Sequence, residues 1–191
     1  MKILIIYAHP NHDGHHGYFL DRFKEKLTAA HTDYEIIDLY ALNYNPVLLD
    51  SELYSAGRRA ISPENLDFQK KIKEAERLTF IYPTWWQNMP AILKGFVDRV
   101  FTGGFGFRYE NGLPVKLLKG KKAAIFTASG GPALFTKLIV RNQAVRALGR
   151  DVLSFSGINY HAFRLASAHQ LSDISKAKID KLAERAVKYL L

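Results

Sequence analysis

Met1-Lys2-Ile3-Leu4-Ile5-Ile6-Tyr7-Ala8 runs without a break into His9-Pro10-Asn11-His12-Asp13-Gly14-His15-His16-Gly17 and then into Tyr18–Leu27. The first piece is a near-continuous apolar run of strand length, as expected of a strand covered on both faces of a parallel sheet. The last piece keeps Phe19, Leu20, Phe23 and Leu27 on one side at helical spacing. Strand, glycine-containing loop and helix in that order open a doubly wound α/β domain. The same stretch argues against a secretory leader, because the apolar run is too short and passes directly into His9-Pro10 without a cleavage site.

Outward from it, Leu78–Tyr82, Ala123–Ala128 and Val152–Phe155 read as further buried strands, and Tyr34–Leu39 as a weaker, half-polar one. Between them, Phe68–Arg77 reads as a charged, exposed helix. Ala91–Phe101 sets Ile92, Phe96, Val97 and Val100 on one face. Ile174–Leu190 repeats Ile174, Ile179, Leu182, Ala186, Val187 and Leu190 at helical spacing. The expectation is one domain, residues 1–191, built on a five-stranded parallel sheet with helices on both faces. Two longer connections, Tyr40–Pro63 and Thr102–Gly120, have the length of functional or interfacial loops.

The chain has 191 residues and no cysteine, which removes disulfides, thiolate catalysis and cysteine-ligated zinc or iron–sulfur sites. No apolar run approaches the ~18 residues of a membrane span, so a soluble, cytoplasmic protein is expected. Residues 1–110 carry 13 basic and 14 acidic side chains, whereas residues 111–191 carry 14 and 4. Such a field attracts anions: a nucleotide, a nucleic acid, a lipid surface or an acidic partner. A surface charged only for solubility reads equally well. No interleaved stacking aromatics accompany the basic residues, which argues against nucleic acid.

In open parallel sheets ligands sit beyond the carboxyl ends of the strands. Three loops fall there. The first, His9–Gly17, is neither a GxGxxG nor a GxxxxGK[ST] loop, so a dinucleotide fingerprint and a nucleoside triphosphate loop are both absent. Its histidines lack a carboxylate pair, so no metal is expected. A phosphate held by imidazole N–H donors at a helix N-terminus suits the loop better, while His12 reads as a solvated loop residue. The second, Pro83-Thr84-Trp85-Trp86-Gln87-Asn88-Met89-Pro90, holds both tryptophans between stiffening prolines and suits a flat heterocycle. The third, Thr127-Ala128-Ser129-Gly130-Gly131-Pro132, leaves backbone amides exposed. Together they describe a cradle with a phosphate at one end and an aromatic ring at the other.

Pro83-Thr84-Trp85-Trp86-Gln87-Asn88-Met89-Pro90-Ala91-Ile92-Leu93-Lys94-Gly95-Phe96-Val97-Asp98-Arg99-Val100-Phe101 resembles the signature of the flavodoxin-like NAD(P)H:quinone oxidoreductases, short bacterial branch. Ala8-His9-Pro10, Asp38–Ala41, Asn43–Pro46, Gly104–Tyr109 and Ser129-Gly130-Gly131 resemble other family segments. The resemblance implies a flavodoxin-like three-layer sandwich of strand order 2-1-3-4-5, a homodimer, bound FMN with FAD as the alternative, and NADPH or NADH as donor. It implies two-electron hydride transfer by a ping-pong route to a quinone-like electrophile. His9, His15, His16 and Gly17 would bind the ribityl phosphate. Pro83, Thr84, Trp85, Trp86, Gln87 and Asn88 would line the isoalloxazine, and Ser129, Gly130 and Gly131 would reach its pyrimidine edge. Phe107, Tyr109 and Phe135 would form the acceptor pocket, the first two across the dimer interface.

The chain departs from the family at Gly14 and His16, where the family often has Ser and then Asn. Pro132–Lys137 offers no Tyr or His, so no proton relay or other catalytic residue is assigned. Some relatives are ancillary subunits of potassium efflux systems, so docking to a membrane channel partner is the alternative role. A one-electron carrier fits poorly, because such flavodoxins are typically acidic.

Overall fold

In the computed structural model, residues 1–53, 57, 60–138 and 141–191 are described. The order is β1 (Lys2–Tyr7), α1 (His15–Ala29), β2 (Asp33–Asp38), α2 (Pro63–Glu74), β3 (Arg77–Pro83), α3 (Ala91–Val100), β4 (Phe107–Glu110), β5 (Leu113–Lys116), β6 (Lys122–Ala128), α4 (Ala133–Leu138), α5 (Gln143–Leu148), β7 (Asn159–Leu165) and α6 (Asp173–Leu190). Five strands form a parallel sheet in the order β2-β1-β3-β6-β7, while β4 and β5 form a separate hairpin. Without the hairpin this is the expected 2-1-3-4-5 order.

Side chains of a strand alternate between the two faces of the sheet, so each strand feeds two cores. Ile3, Ile5 and Tyr7 join Phe19, Phe23 and Leu27 of α1 and Ile179, Ala183 and Leu190 of α6. Leu4, Ile6 and Ala8 join Phe68 and Ile72 of α2, Leu93 and Phe96 of α3, and Leu148 of α5. Phe19 stacks on Phe126 of β6 at 3.8 Å, which locks α1 over the middle of the sheet.

The fifth strand is not Val152–Phe155. Gly149–Ser154 forms a π-helical continuation of α5, and β7 lies seven residues further along, at Asn159–Leu165. Val152 and Leu153 are apolar because that helix packs on the sheet. Among the described residues β7 pairs only with β6, so it is an edge strand and carries exposed Asn159, His161 and Arg164. The other edge strand, β2, is half polar for the same reason, with Glu35 held by Lys2 at 2.7 Å and Lys71 at 3.0 Å.

The helix expected at Phe68–Arg77 starts earlier. Ser62 Oγ accepts from the Asn65 N–H at 3.2 Å and caps α2, which ends at Glu74 and buries Asn65, Phe68, Gln69 and Ile72. The long connection after β2 is fastened to α3. Arg99 Nε and Nη2 donate to the two carboxylate oxygens of Glu52, each at 2.9 Å, and Nη1 donates to the Asn45 carbonyl. A Cβ on Gly95 would lie 2.1 Å from the Pro46 carbonyl oxygen, so only glycine permits this approach.

The second connection, Thr102–Gly120, holds the β4–β5 hairpin, turned by Asn111 (φ 51°) and Gly112 (φ 79°). α3 leaves the carboxyl end of β3 and runs back along the sheet. The hairpin therefore lies at the amino ends of the strands, opposite the three candidate loops.

Candidate active site

The first loop folds back onto α1. A Cβ on Gly17 would lie 1.7 Å from the His12 carbonyl oxygen, so Gly17 is the point of contact between loop and helix. The N-terminus of α1 at Gly14 has no side-chain cap. Its first amides, from His15 to Gly17, are left for an anion.

The histidines divide into two groups. His12 turns outward, with Nε2 2.8 Å from Asp38 Oδ2 and its ring stacked on Tyr7 at 4.5 Å. His9 and His16 turn inward and stack at 4.8 Å. His16 meets Phe126 edge-on at 5.6 Å, and His9 reaches toward Trp85 at 6.1 Å. The Nε2 atoms of His15 and His16 are buried without a hydrogen-bond partner. Burial, with smaller contributions from His9 and His15, pushes His16 down to about 3, so its ring is neutral near pH 7. Burial also lowers His15.

The second loop is a tight hairpin. Trp85 N–H donates to the Asn88 carbonyl at 3.0 Å and Asn88 N–H to the Trp85 carbonyl at 2.9 Å. The two residues between them, Trp86 (φ 49°) and Gln87 (φ 61°), are both left-handed and neither is glycine. Such backbone costs about 1 kcal/mol or more at each position and tends to gather at working sites. The Trp86 side chain is 100% exposed. Thr84 ties this loop to the third one, through its N–H to the Ala128 carbonyl at 2.9 Å and its hydroxyl to that of Thr127 at 2.8 Å.

The third loop is pinned by a fourth that the sequence reading did not include, the segment after β7. Ser129 N–H donates to the Leu165 carbonyl, Ser167 N–H to that of Gly131 and Ala168 N–H to that of Ser129. The Ser129 amide is thus occupied, and the amides of Gly130 and Gly131 are the free donors of this loop among the described residues. A Cβ on Gly130 would lie 3.7 Å from the His169 ring, so an imidazole from the fourth loop stands beside the glycines. Misplacing the fifth strand hid His169 from the sequence reading.

His9, His15, His16, Gly17 and Pro83–Asn88 therefore gather at one end of the sheet with Ser129, Gly130 and Gly131. Phe135 follows directly on α4, 46% exposed. Phe107 and Tyr109 do not join them within one chain. They sit on the hairpin at the far end, in edge-on contact with each other at 5.7 Å. Phe107 also meets Phe155 edge-on at 5.0 Å. Phe155, read from the sequence as part of a strand, is the third aromatic of that cluster.

Residues 1–190 match the flavodoxin-like fold family. An NAD(P)H oxidoreductase of Haemophilus influenzae is 33% identical over 187 residues, 96% of this chain and 92% of that protein. The chain belongs to the flavodoxin-like NAD(P)H:quinone oxidoreductase family. It is an oxidoreductase. The human ribosyldihydronicotinamide dehydrogenase [quinone] is 29% identical, with 93% of this chain and 86% of that one aligned. The NAD(P)H:quinone oxidoreductase of Methanothermobacter marburgensis superposes with a TM-score of 0.86 at 27% identity, over 100% of this chain and 96% of that one.

The cradle fits the flavin that this family membership implies. An uncapped helix N-terminus stands at one end, whose amides an anionic phosphate would satisfy, beside buried imidazole Nε2 atoms that a neighbouring anion would draw toward the protonated, donating form. Free glycine amides and an exposed indole on a rigid turn stand at the other, suited to the polar edge and the face of a fused ring.

Proposed function

We propose that the protein is a flavin-dependent NAD(P)H:acceptor oxidoreductase acting on quinones or similar flat electrophiles, with FMN as its flavin. The observation that carries this reading is the convergence of buried, unpartnered His15 and His16 Nε2 atoms with the uncapped start of α1, opposite the Trp86 turn. When bound, the flavin takes two electrons and a proton from the nicotinamide donor and passes them to the acceptor. Around it, the first amides of α1 would hold the phosphate, with His15 and His16 donating from Nε2 once the anion has favoured their protonation. Trp85, Trp86 and Gln87 present a flat wall, and the Gly130 and Gly131 amides donate to the electron-rich edge of the ring.

A homodimer completes the site in this reading. Phe107, Tyr109 and Phe155 lie at the wrong end of the sheet to reach the cradle of their own chain. Placed against the cradle of a second copy, they would roof the acceptor position and exclude water. The observation favouring this is the exposure of Trp86 and Tyr109, at 100% and 54%, as large aromatic surfaces without a cover.

Titration of FMN and FAD with the purified protein, read by flavin fluorescence, tests the cradle. Quenching that saturates at one FMN per chain, tighter than for FAD, is expected. Binding of neither flavin would overturn the proposal.

A further inference from the structure

A cleft of ≈ 370 Å³ opens from the cradle and runs down the outer side of β7. Thr84, Gln87, Thr127 and Ser129 line its upper end. From Leu165 its lining descends β7 to His161, about 13 Å at the ~3.3 Å rise per residue of a parallel strand. Arg164 stands opposite Thr127 in the strand register, and Arg185 of α6 lies lower down, its guanidinium 5.9 Å from the centre of the Phe163 ring.

Among the described residues no acidic side chain lines this cleft. Arg164 and Arg185 make neither a hydrogen bond nor an ion pair among the described residues. Like charges in one concave site repel each other and raise the local concentration of anions. A guanidinium free of carboxylates presents a planar fork that matches phosphate geometry. The cleft thus offers cations at a distance from the cradle that a dinucleotide can span, with the buried Phe163 ring supporting the Arg185 guanidinium from below.

We propose that this cleft seats the tail of the dinucleotide donor, with Arg185 holding the adenosine 2′-phosphate, so that the enzyme takes NADPH in preference to NADH. The proposal rests on the NAD(P)H reading above and assigns the tail a site that the cradle residues do not provide. Arg185 is exposed on α6, so its replacement leaves the fold intact.

The test is calorimetric binding of adenosine 2′,5′-bisphosphate to the FMN-loaded and the flavin-free protein, for wild type and Arg185→Gln. Adenosine 5′-monophosphate and inorganic phosphate serve as comparison ligands. The bisphosphate binds wild type and loses about tenfold in Arg185→Gln, the cost of one charge-assisted hydrogen bond. The monophosphate binds more weakly and does not respond to the substitution. Equal binding of the bisphosphate by both proteins overturns the proposal, as does inorganic phosphate binding as tightly as the bisphosphate. In steady state the KM for NADPH rises about tenfold in Arg185→Gln while the KM for NADH stays put. Acceptor reduction with equal KM for both donors, before and after the substitution, removes the cleft and leaves the reaction standing. Binding of the bisphosphate through Arg185 without oxidation of either donor does the reverse.

Discussion

The imidazole of His9 stacks on that of His16, with ring centres 4.8 Å apart and planes 17° from parallel. His9 Nδ1 lies 2.6 Å from the Asn11 carbonyl oxygen and 3.1 Å from the Asn11 nitrogen, so the Asn11 backbone fixes the outer ring of the pair. The inner ring is buried against Phe126. The start of α1 is thereby fastened to the first loop on one side and to β6 on the other by aromatic contacts.

This arrangement has a pH signature. Burial depresses His16 to about 3 in the folded state, against an ordinary value near 6.5. Between these values the unfolded chain binds the extra proton, so stability rises with pH and is lost on acidification below about 6.5. From pH 7.5 to pH 5 the loss from this one group is about 2 kcal/mol. Urea unfolding of wild type and His16→Asn at both pH values measures it. The variant should lose less than wild type by that amount, with the burial of His15 accounting for part of what remains. Equal losses would contradict the neutral, buried His16.

Trp86 separates strain from function. It is fully exposed and sits at φ 49°, so it adds no packing and holds a backbone that glycine adopts freely. Trp86→Gly should leave the protein as stable as wild type or more stable by up to about 1 kcal/mol. The same change removes a stacking surface and should weaken FMN binding about tenfold. Thermal unfolding without flavin and a fluorescence titration with FMN read the two effects. A less stable variant with unchanged affinity would mean that Trp86 serves the fold.

Arg99 within the signature segment serves the fold. Its guanidinium and the Glu52 carboxylate are nearly inaccessible, at 5% and 6% side-chain exposure. The guanidinium holds the Glu52 carboxyl below its usual range. Glu52→Gln leaves a buried cation unpaired and should cost about 3 kcal/mol in urea unfolding at neutral pH. Since the carboxyl of Glu52 is depressed by folding, its contribution is present above the ordinary carboxylate value and is lost as pH falls through the folded one. The penalty of the variant should therefore shrink in acid.

The parts of the fold that could be read from the sequence are those whose burial is two-sided. Leu4 and Ile5 of β1, Phe80 and Ile81 of β3, and Ile125 and Phe126 of β6 are wholly covered on opposite faces, and their runs are apolar throughout. At the edges the pattern weakens. β7 exposes Asn159, His161 and Arg164, and the more apolar helix at Val152–Phe155 was the stronger strand pattern. That exchange concealed the fourth loop with His169, and also the place of Phe155 beside Phe107. Asn111-Gly112 was the local sign of the hairpin, inside a segment read only as a long connection. The cradle residues were legible because loops at the carboxyl ends of buried strands converge by topology alone. Their partners were not, because the Ser129 amide and the orientation of His12 depend on contacts distant in sequence.

The most direct test of the central claim is the absorption spectrum of the FMN-loaded protein on anaerobic addition of NADPH, followed by a quinone. Flavin absorbance near 450 nm should fall by about its full amplitude with one equivalent of donor and return with one equivalent of acceptor, as two-electron turnover at a bound flavin requires. A protein that holds FMN yet keeps its full flavin absorbance in excess NADPH would contradict the account.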